Sequence, residues 1–145
     1  MKIGIIGNGF VGNSIAFGFS PTHEIKIHDK DNKRNMNTIE EVLDCDFIFV
    51  AVPTPMKADG SISLDVVIKA LGEINEKNKR TDNIIILKST MTPGTTGLLK
   101  EQFPKLNIVF NPEFLTERTA KLDFLTQARI ILGGNPKHTA KVKTL

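Results

Sequence analysis

The chain begins Met1-Lys2-Ile3-Gly4-Ile5-Ile6-Gly7-Asn8-Gly9-Phe10-Val11-Gly12 and runs on through Asn13 to Phe19. A short apolar run, Ile3 to Ile6, leads into a glycine turn, and the turn leads into an amphipathic segment. Each glycine meets a separate need. Gly7 lets the chain turn tightly off a strand, Gly9 lets the backbone approach a pyrophosphate, and Gly12 lets the new helix pack on the sheet. A helix starting near Phe10 aims free N–H groups and the positive end of its dipole at the phosphates, with Asn8 and Val11 completing the loop. Glycine turns also serve as plain connectors, so the strand before and the helix after this one are what give it meaning.

Working outward, a second apolar alternation, Glu24 to His28, ends in Asp29. Asp29 stands 22 residues past Gly7, near the spacing at which a carboxylate ending the second strand accepts hydrogen bonds from an adenosine ribose. The competing reading is a surface aspartate in a turn. Lys30, Lys33 and Arg34 follow and offer charge for a 2′-phosphate. The carboxylate would repel such a phosphate, so NAD is favoured while NADP stays open.

Four more apolar runs read as strands, being too short for helices and rich in β-branched residues: Phe47 to Val52, Ile84 to Leu87, Leu106 to Phe110 and Arg129 to Leu132. Between them stand helix signals. Thr38-Ile39-Glu40-Glu41 has capping-box spacing. Leu64, Val67, Ile68, Leu71 and Ile74 recur on one helical face, with Ser63 as the expected cap. Thr92-Pro93 predicts a cap and a first-turn proline for a helix running towards Phe103. Strand-helix alternation with buried strands requires crossover connections. The expected fold is therefore α/β: a doubly wound Rossmann domain over residues 1–145, with a parallel sheet of about six strands.

The 145 residues suffice for one core, and the 40% hydrophobic, 24% charged composition is that of an ordinary globular domain. The net charge of +3 is small and its basic residues are not interleaved with aromatics, so nucleic acid is not an expected partner. A single cysteine makes no internal disulfide. Lys2 with the following apolar run imitates a signal peptide, but Gly7, Asn8, Gly9 and Asn13 interrupt it and no run reaches membrane-spanning length. A cytoplasmic setting without a membrane partner is expected. His23, His28 and His138 form no ligand cluster, so no metal is expected. His28 is expected near the adenine or at the sheet edge.

In doubly wound sheets the ligand lies outside the carboxyl ends of the strands. After the third strand, Val52-Pro53-Thr54-Pro55 stiffens the exit and holds Thr54 at the crevice, or is simply a rigid loop. After the fourth comes Lys88-Ser89-Thr90-Met91-Thr92-Pro93-Gly94-Thr95-Thr96, in which Ser89 and Thr90 precede the expected cap and are better placed to face a ligand. After the fifth comes Asn111-Pro112-Glu113-Phe114-Leu115-Thr116-Glu117. Its two carboxylates, Glu113 and Glu117, are candidates to divide acid/base work and substrate binding, or are solvated loop charges.

The motifs VAVPTP, KSTMTPGTT and NPEFLTE, in that order behind GNGFVG, resemble the N-terminal NAD-binding domain of the UDP-glucose/GDP-mannose dehydrogenase family, its UDP-glucose 6-dehydrogenases in particular. NPEFL is the most specific piece, since β-hydroxyacid dehydrogenases share the glycine turn without it. The resemblance covers nearly the whole chain. It implies oxidation of a nucleotide sugar's C6 alcohol, UDP-glucose first among them, to a carboxylate, with two NAD molecules and a cysteine thioester. It further implies that Glu113 is an acid/base activating water, with Thr90 beside the cofactor and that water. Glu117 and the Phe114-Leu115 segment would bind the sugar, together with Glu113. Gly7 to Gly12, Asp29, the Val52 to Pro55 loop and Ser89 would contact NAD.

Three departures stand out against that family. Its nucleophile, in a glycine-glycine-x-cysteine segment, and its central lysine have no counterpart. Cys45 reads as a small buried residue at the start of strand three, away from the crevice, and Lys88 does not correspond to the family lysine. The connection from Asp29 to Asp46 is short where the family carries a longer insert. Arg118 replaces a glycine, which implies a pairing with Glu117 or a phosphate, or an altered backbone angle. The family's central and UDP-binding C-terminal domains are missing, and the chain stops at Leu145 within what reads as an uncapped helix from Pro136. The expectation is a piece of a longer dehydrogenase or a short relative whose other half is separate. A stand-alone NAD(H)-binding module without catalysis, or the N-terminal domain of a β-hydroxyacid dehydrogenase, are the alternatives.

Overall fold

The central apolar runs become strands buried on both faces, and this dictates helices on both sides. A computed structural model describes all 145 residues. Five parallel strands, β1 (Lys2–Ile6), β2 (Glu24–His28), β3 (Phe47–Val50), β4 (Ile84–Leu87) and β5 (Ile108–Phe110), are joined at one edge by a short antiparallel strand, β6 (Gly133–Gly134). The sheet order is β2-β1-β3-β4-β5-β6. Side chains alternate across it. Ile48, Val50, Ile85 and Leu87 pack with Val67, Leu71 and Ile74 of α3 (Asp65–Lys77), with Ile39 and Val42 of α2 (Ile39–Leu43) and with Leu99 of α4 (Thr95–Gln102). Phe47, Phe49, Ile84 and Ile86 pack on the other face with Ile15 of α1 (Phe10–Phe19) and Val142 of α6 (Pro136–Val142), with Phe124 of α5 (Ala120–Thr126) alongside. The doubly wound Rossmann architecture is thus present. No helix is long and apolar enough to cross a membrane.

Local signals hold unevenly. The capping box at Thr38 forms in full: its side chain accepts the Glu41 N–H, and the Glu41 carboxylate accepts the Thr38 N–H at 2.8 Å. Leu64 stands at the cap position of α3 without a side-chain cap bond; Ser63, one residue earlier, accepts the Asp65 N–H at 3.4 Å and donates its hydroxyl to the Asp65 carboxylate at 2.9 Å. Thr92-Pro93 does not open α4 either, because Gly94 at φ +89° turns the chain first and the helix starts at Thr95. The run Arg129 to Leu132 is not the sixth strand. Ile130 is 66% exposed, and the pairing falls on Gly133 and Gly134, antiparallel to Val109 and Phe110. The last helix is capped: Asn135 accepts the Lys137 N–H at 2.9 Å, and the Lys143 N–H closes on Thr139 at 3.1 Å.

The short connection after β2 has a topological result. The chain crosses from β2 over β1 to β3 through α2 alone, so β2 is an edge strand. The order of neighbours reverses between β1 and β3, and the carboxyl ends of these two strands open the crevice.

Candidate functional site

The crevice has a volume of about 600 Å³, within the range of small-ligand sites, and its lining comes from the ends of the five parallel strands. Gly7 leaves β1 at φ +97°, with a Cβ there 2.5 Å from the Ala51 carbonyl oxygen, so only glycine fits. A Cβ on Gly12 would run into the Gly7 carbonyl; Gly12 therefore braces the turn from behind rather than lining the crevice. Gly9 is different in kind. Nothing lies within 4 Å of where its Cβ would be, and it opens α1 with no side-chain cap and no acidic residue in the first turn. Unclaimed N–H groups facing open space at a helix start are an anion cradle.

Asp29 closes the far end. Its carboxylate accepts the Asn8 N–H at 2.6 Å and the Asp31 N–H at 2.8 Å, tying the glycine turn to the turn after β2. The Asn8 side chain turns away to the Arg34 carbonyl at 2.8 Å. Lys30 and Arg34 line the same end, and Arg34 approaches Asp31 at 3.7 Å. His28 bonds the Asn37 carbonyl through Nδ1 at 3.0 Å and packs at the sheet edge, outside the crevice lining.

The exits of β3 and β4 are stitched together. Ser89 donates its hydroxyl to the Val52 carbonyl at 2.6 Å, and Thr54 donates to the Thr90 carbonyl at 2.9 Å. These bonds use two hydroxyls expected to face a ligand, while the exposed Thr90 side chain keeps its own. Phe10, Val11, Val52, Pro53, Thr54, Ser89 and Thr90 all line the crevice as expected.

Glu113 faces this crevice and is 11% exposed. Its Oε1 accepts the Phe114 and Leu115 N–H groups at 2.7 and 3.1 Å, and its Oε2 lies 3.1 Å from the Lys88 ammonium. Lys88, 3% exposed, also donates to Asn111 Oδ1 at 3.0 Å. Burial pulls its pKa below the usual lysine value, with Glu113 opposing the shift. Lys88 is the residue that motif reasoning missed. The signal was available: a lysine directly after four apolar strand residues has no route to water and must find a counter-charge.

Glu117 does not join Glu113. The segment after β5 runs extended to Thr116, and Glu117 begins a 3-10 turn whose side chains line a shallow neighbouring pocket with Phe10, Asn13 and Arg118. Leu115 lines the crevice, whereas Phe114 lies on the far side beneath Arg129, 5.5 Å from its ring centre. Arg118 forms no ion pair with Glu117, and its backbone stays at negative φ. Cys45 is fully buried at the opposite end of the sheet, where burial pushes its thiol up to about 11.

Residues 24–145 match the UDP-glucose/GDP-mannose dehydrogenase family, NAD binding domain. The chain belongs to this family. A UDP-glucose 6-dehydrogenase of Haloferax volcanii is 33% identical over 92% of the chain and 41% of that relative, and one of Streptococcus pneumoniae is 31% identical over 92% and 41%. The chain thus spans about two fifths of the length of these relatives. The Haloferax alignment runs over 175 residues, so that relative carries segments this 145-residue chain lacks. A UDP-glucose dehydrogenase of Pyrobaculum islandicum superposes with a TM-score of 0.84 at 25% identity, covering 98% of this chain and 42% of that one. A 3-hydroxyisobutyrate dehydrogenase of Mycobacterium tuberculosis, at 12% identity and a TM-score of 0.76 over 99% and 50%, shares the fold alone. NAD is accordingly the cofactor of this family domain. The residues present fit it: the open space at Gly9 leaves room for a pyrophosphate, and the Asp29 carboxylate stands beside the turn at the end of β2.

Proposed function

We propose that this chain, a single domain over residues 1–145, is the cofactor half of a nucleotide-sugar 6-dehydrogenase that oxidises UDP-glucose to UDP-glucuronate in the cytoplasm. One observation carries the reading: a nearly buried carboxylate, Glu113, shares a crevice with the glycine turn and Asp29. NAD, when bound, supplies the hydride acceptor. The chain's own groups do the rest. The turn from Gly7 to Gly12 and the start of α1 hold the pyrophosphate, Asp29 accepts the ribose hydroxyls, and Pro53, Thr54 and Ser89 wall the nicotinamide side. Glu113 takes a proton from the attacking water, with Thr90 beside it, while the backbone of the Phe114-Leu115 segment and, from the adjoining pocket, Glu117 hold the sugar. UDP-glucose is favoured over GDP-mannose by the Haloferax and Streptococcus relatives, which are UDP-glucose 6-dehydrogenases.

The nucleophilic thiol is not Cys45, which is buried at the wrong end of the sheet. It belongs to the central and UDP-binding segments for which the greater length of the relatives leaves room. The same observation favours a second reading, a stand-alone NAD(H)-binding module without chemistry.

Fluorescence titration with NADH and NADPH tests the cofactor site, and the chain has no tryptophan or tyrosine to interfere. Saturable binding with NADH preferred is expected; no binding, or a preference for NADPH, overturns it. Adding the complementary half in trans separates the two readings. Turnover that falls about 100-fold or more in Glu113→Gln supports the dehydrogenase, and unchanged turnover removes the acid/base role.

A further inference from the structure

The ammonium of Lys88 sits where the fold has no need of one. All four residues of β4 are buried, and Lys88 continues that strand into the floor of the crevice with 3% of its side chain exposed. An apolar side chain of the same length would fill the space without having to leave water. Its contacts explain its presence. Nζ lies 3.1 Å from Glu113 Oε2 and donates to Asn111 Oδ1 at 3.0 Å, and Asn111 in turn donates through Nδ2 to the Ile131 carbonyl at 2.9 Å. The carboxylate is gripped on its other side, where Oε1 accepts two backbone N–H groups. Oε2 is itself buried and accepts no hydrogen bond, so the nearby ammonium of Lys88 is what compensates its charge.

We propose that Lys88 is a positioning residue for Glu113: its ammonium fixes the carboxylate in the wall of the crevice and is the counter-charge against which that carboxylate takes up and returns a proton. The inference rests on the acid/base reading of Glu113. The surrounding charges fit it. Arg129 is engaged over the Phe114 ring, and Asp29, Lys30, Asp31 and Arg34 belong to the turn after β2 at the adenosine end of the crevice. Glu113 is the one charged neighbour that acts on Lys88. Asn111 fixes the lysine from the side, which keeps the ammonium from swinging to solvent when the carboxylate is protonated.

The test is carboxyl and side-chain carbon NMR of the whole chain, labelled at glutamate Cδ and lysine Cε, titrated with pH. In Lys88→Met the Glu113 midpoint is expected to move upward by about one pH unit or more, because a neighbouring cation favours the charged carboxylate. In Lys88→Arg it is expected to stay close to that of the parent. In Glu113→Gln, which preserves shape, the Lys88 midpoint is expected to move down. A Glu113 midpoint that does not move in folded Lys88→Met overturns the proposal, as does an unmoved Lys88 midpoint in Glu113→Gln. The second arm decides alone if Lys88→Met does not fold. NADH titration of the parent is a separate readout: its failure removes the dehydrogenase reading, whereas normal NADH binding with unmoved midpoints removes the role of Lys88 alone.

Discussion

Two ion pairs lie at opposite ends of the same sheet, each with nitrogen and oxygen 3.1 Å apart. Arg80 meets Asp46 at the amino ends of the strands, and Lys88 meets Glu113 at the carboxyl ends. The first pair is partly open to water, with side chains 29% and 39% exposed, and Arg80 also donates to Asp82 and the Asp44 carbonyl. The second is 3% and 11% exposed and lies in the wall of a crevice. Distance alone would rank them equal. Solvent decides otherwise: the open pair clips β3 to the loop before β4 at little gain, whereas the buried pair carries a desolvation cost that a purely structural fold would have avoided.

The largest test of this contrast is Lys88→Met, which leaves the Glu113 carboxylate without its partner. A loss of about 3 kcal/mol in urea unfolding is expected, and the double variant Lys88→Met with Glu113→Leu should recover most of it. If the double variant is no more stable than Lys88→Met, the buried pair holds the fold together and the comparison breaks. Next comes Gly9→Ala at the same end. Its φ of −76° suits alanine and no atom crowds the new methyl, so stability should stay within about 0.5 kcal/mol of the parent. NADH affinity should fall tenfold or more, about 1.4 kcal/mol, because the methyl fills the phosphate space.

At the other end, Asp46→Asn is expected to cost about 1 kcal/mol or less at neutral pH. The two ends should also differ in the sign of their pH dependence. The Asp46 carboxyl is held below its ordinary 3.8 by the Lys2 N–H and then by Arg80, so its contribution is present above about pH 4 and is lost as acid takes the pH down through the folded value. Lys88 is held below its ordinary 10.5 by burial. Between its folded and unfolded values the unfolded chain binds more protons, and stability climbs as pH rises towards 10.5. Urea midpoints across pH 3 to 10, with Asp46→Asn and Lys88→Met as references, should show the acid limb vanish in one variant and the alkaline limb in the other. The smallest effect is at Cys45. With its thiol near 11, a disulfide reagent at pH 8 should label it only upon unfolding, and rapid labelling of the native chain would contradict its burial.

The strand-end rule made most of the crevice legible. Gly7, Gly9, Asp29, Pro53, Thr54, Thr90 and Glu113 all stand just past apolar runs, and a parallel sheet brings such positions together whatever the loops between them do. Spacing within a loop was a poorer guide. Glu113 and Glu117 are four apart, but the segment between them is extended, so helical spacing does not place them on one face. Direction was invisible as well: hydrophobicity marked Ile130 and Ile131, whereas the chain returning from α5 pairs with β5 through two glycines that can approach closely. Pro93 looked like a helix start, but the chain conformation was set by Gly94 one residue later.

Edge strand β2 carries one last consequence. A free strand edge offers unpaired backbone groups as a template for a neighbouring chain. Here Asn37 accepts the Ile27 N–H at 3.0 Å, Asn35 accepts the Asp29 N–H at 3.0 Å, and the Asn37 N–H returns to the Ile27 carbonyl at 2.8 Å. Glu24 and Lys26 pair at 3.4 Å along the rest. The compact turn that leaves this edge without a strand beside it also occupies the carboxyl half of the edge, where a neighbouring strand would otherwise pair.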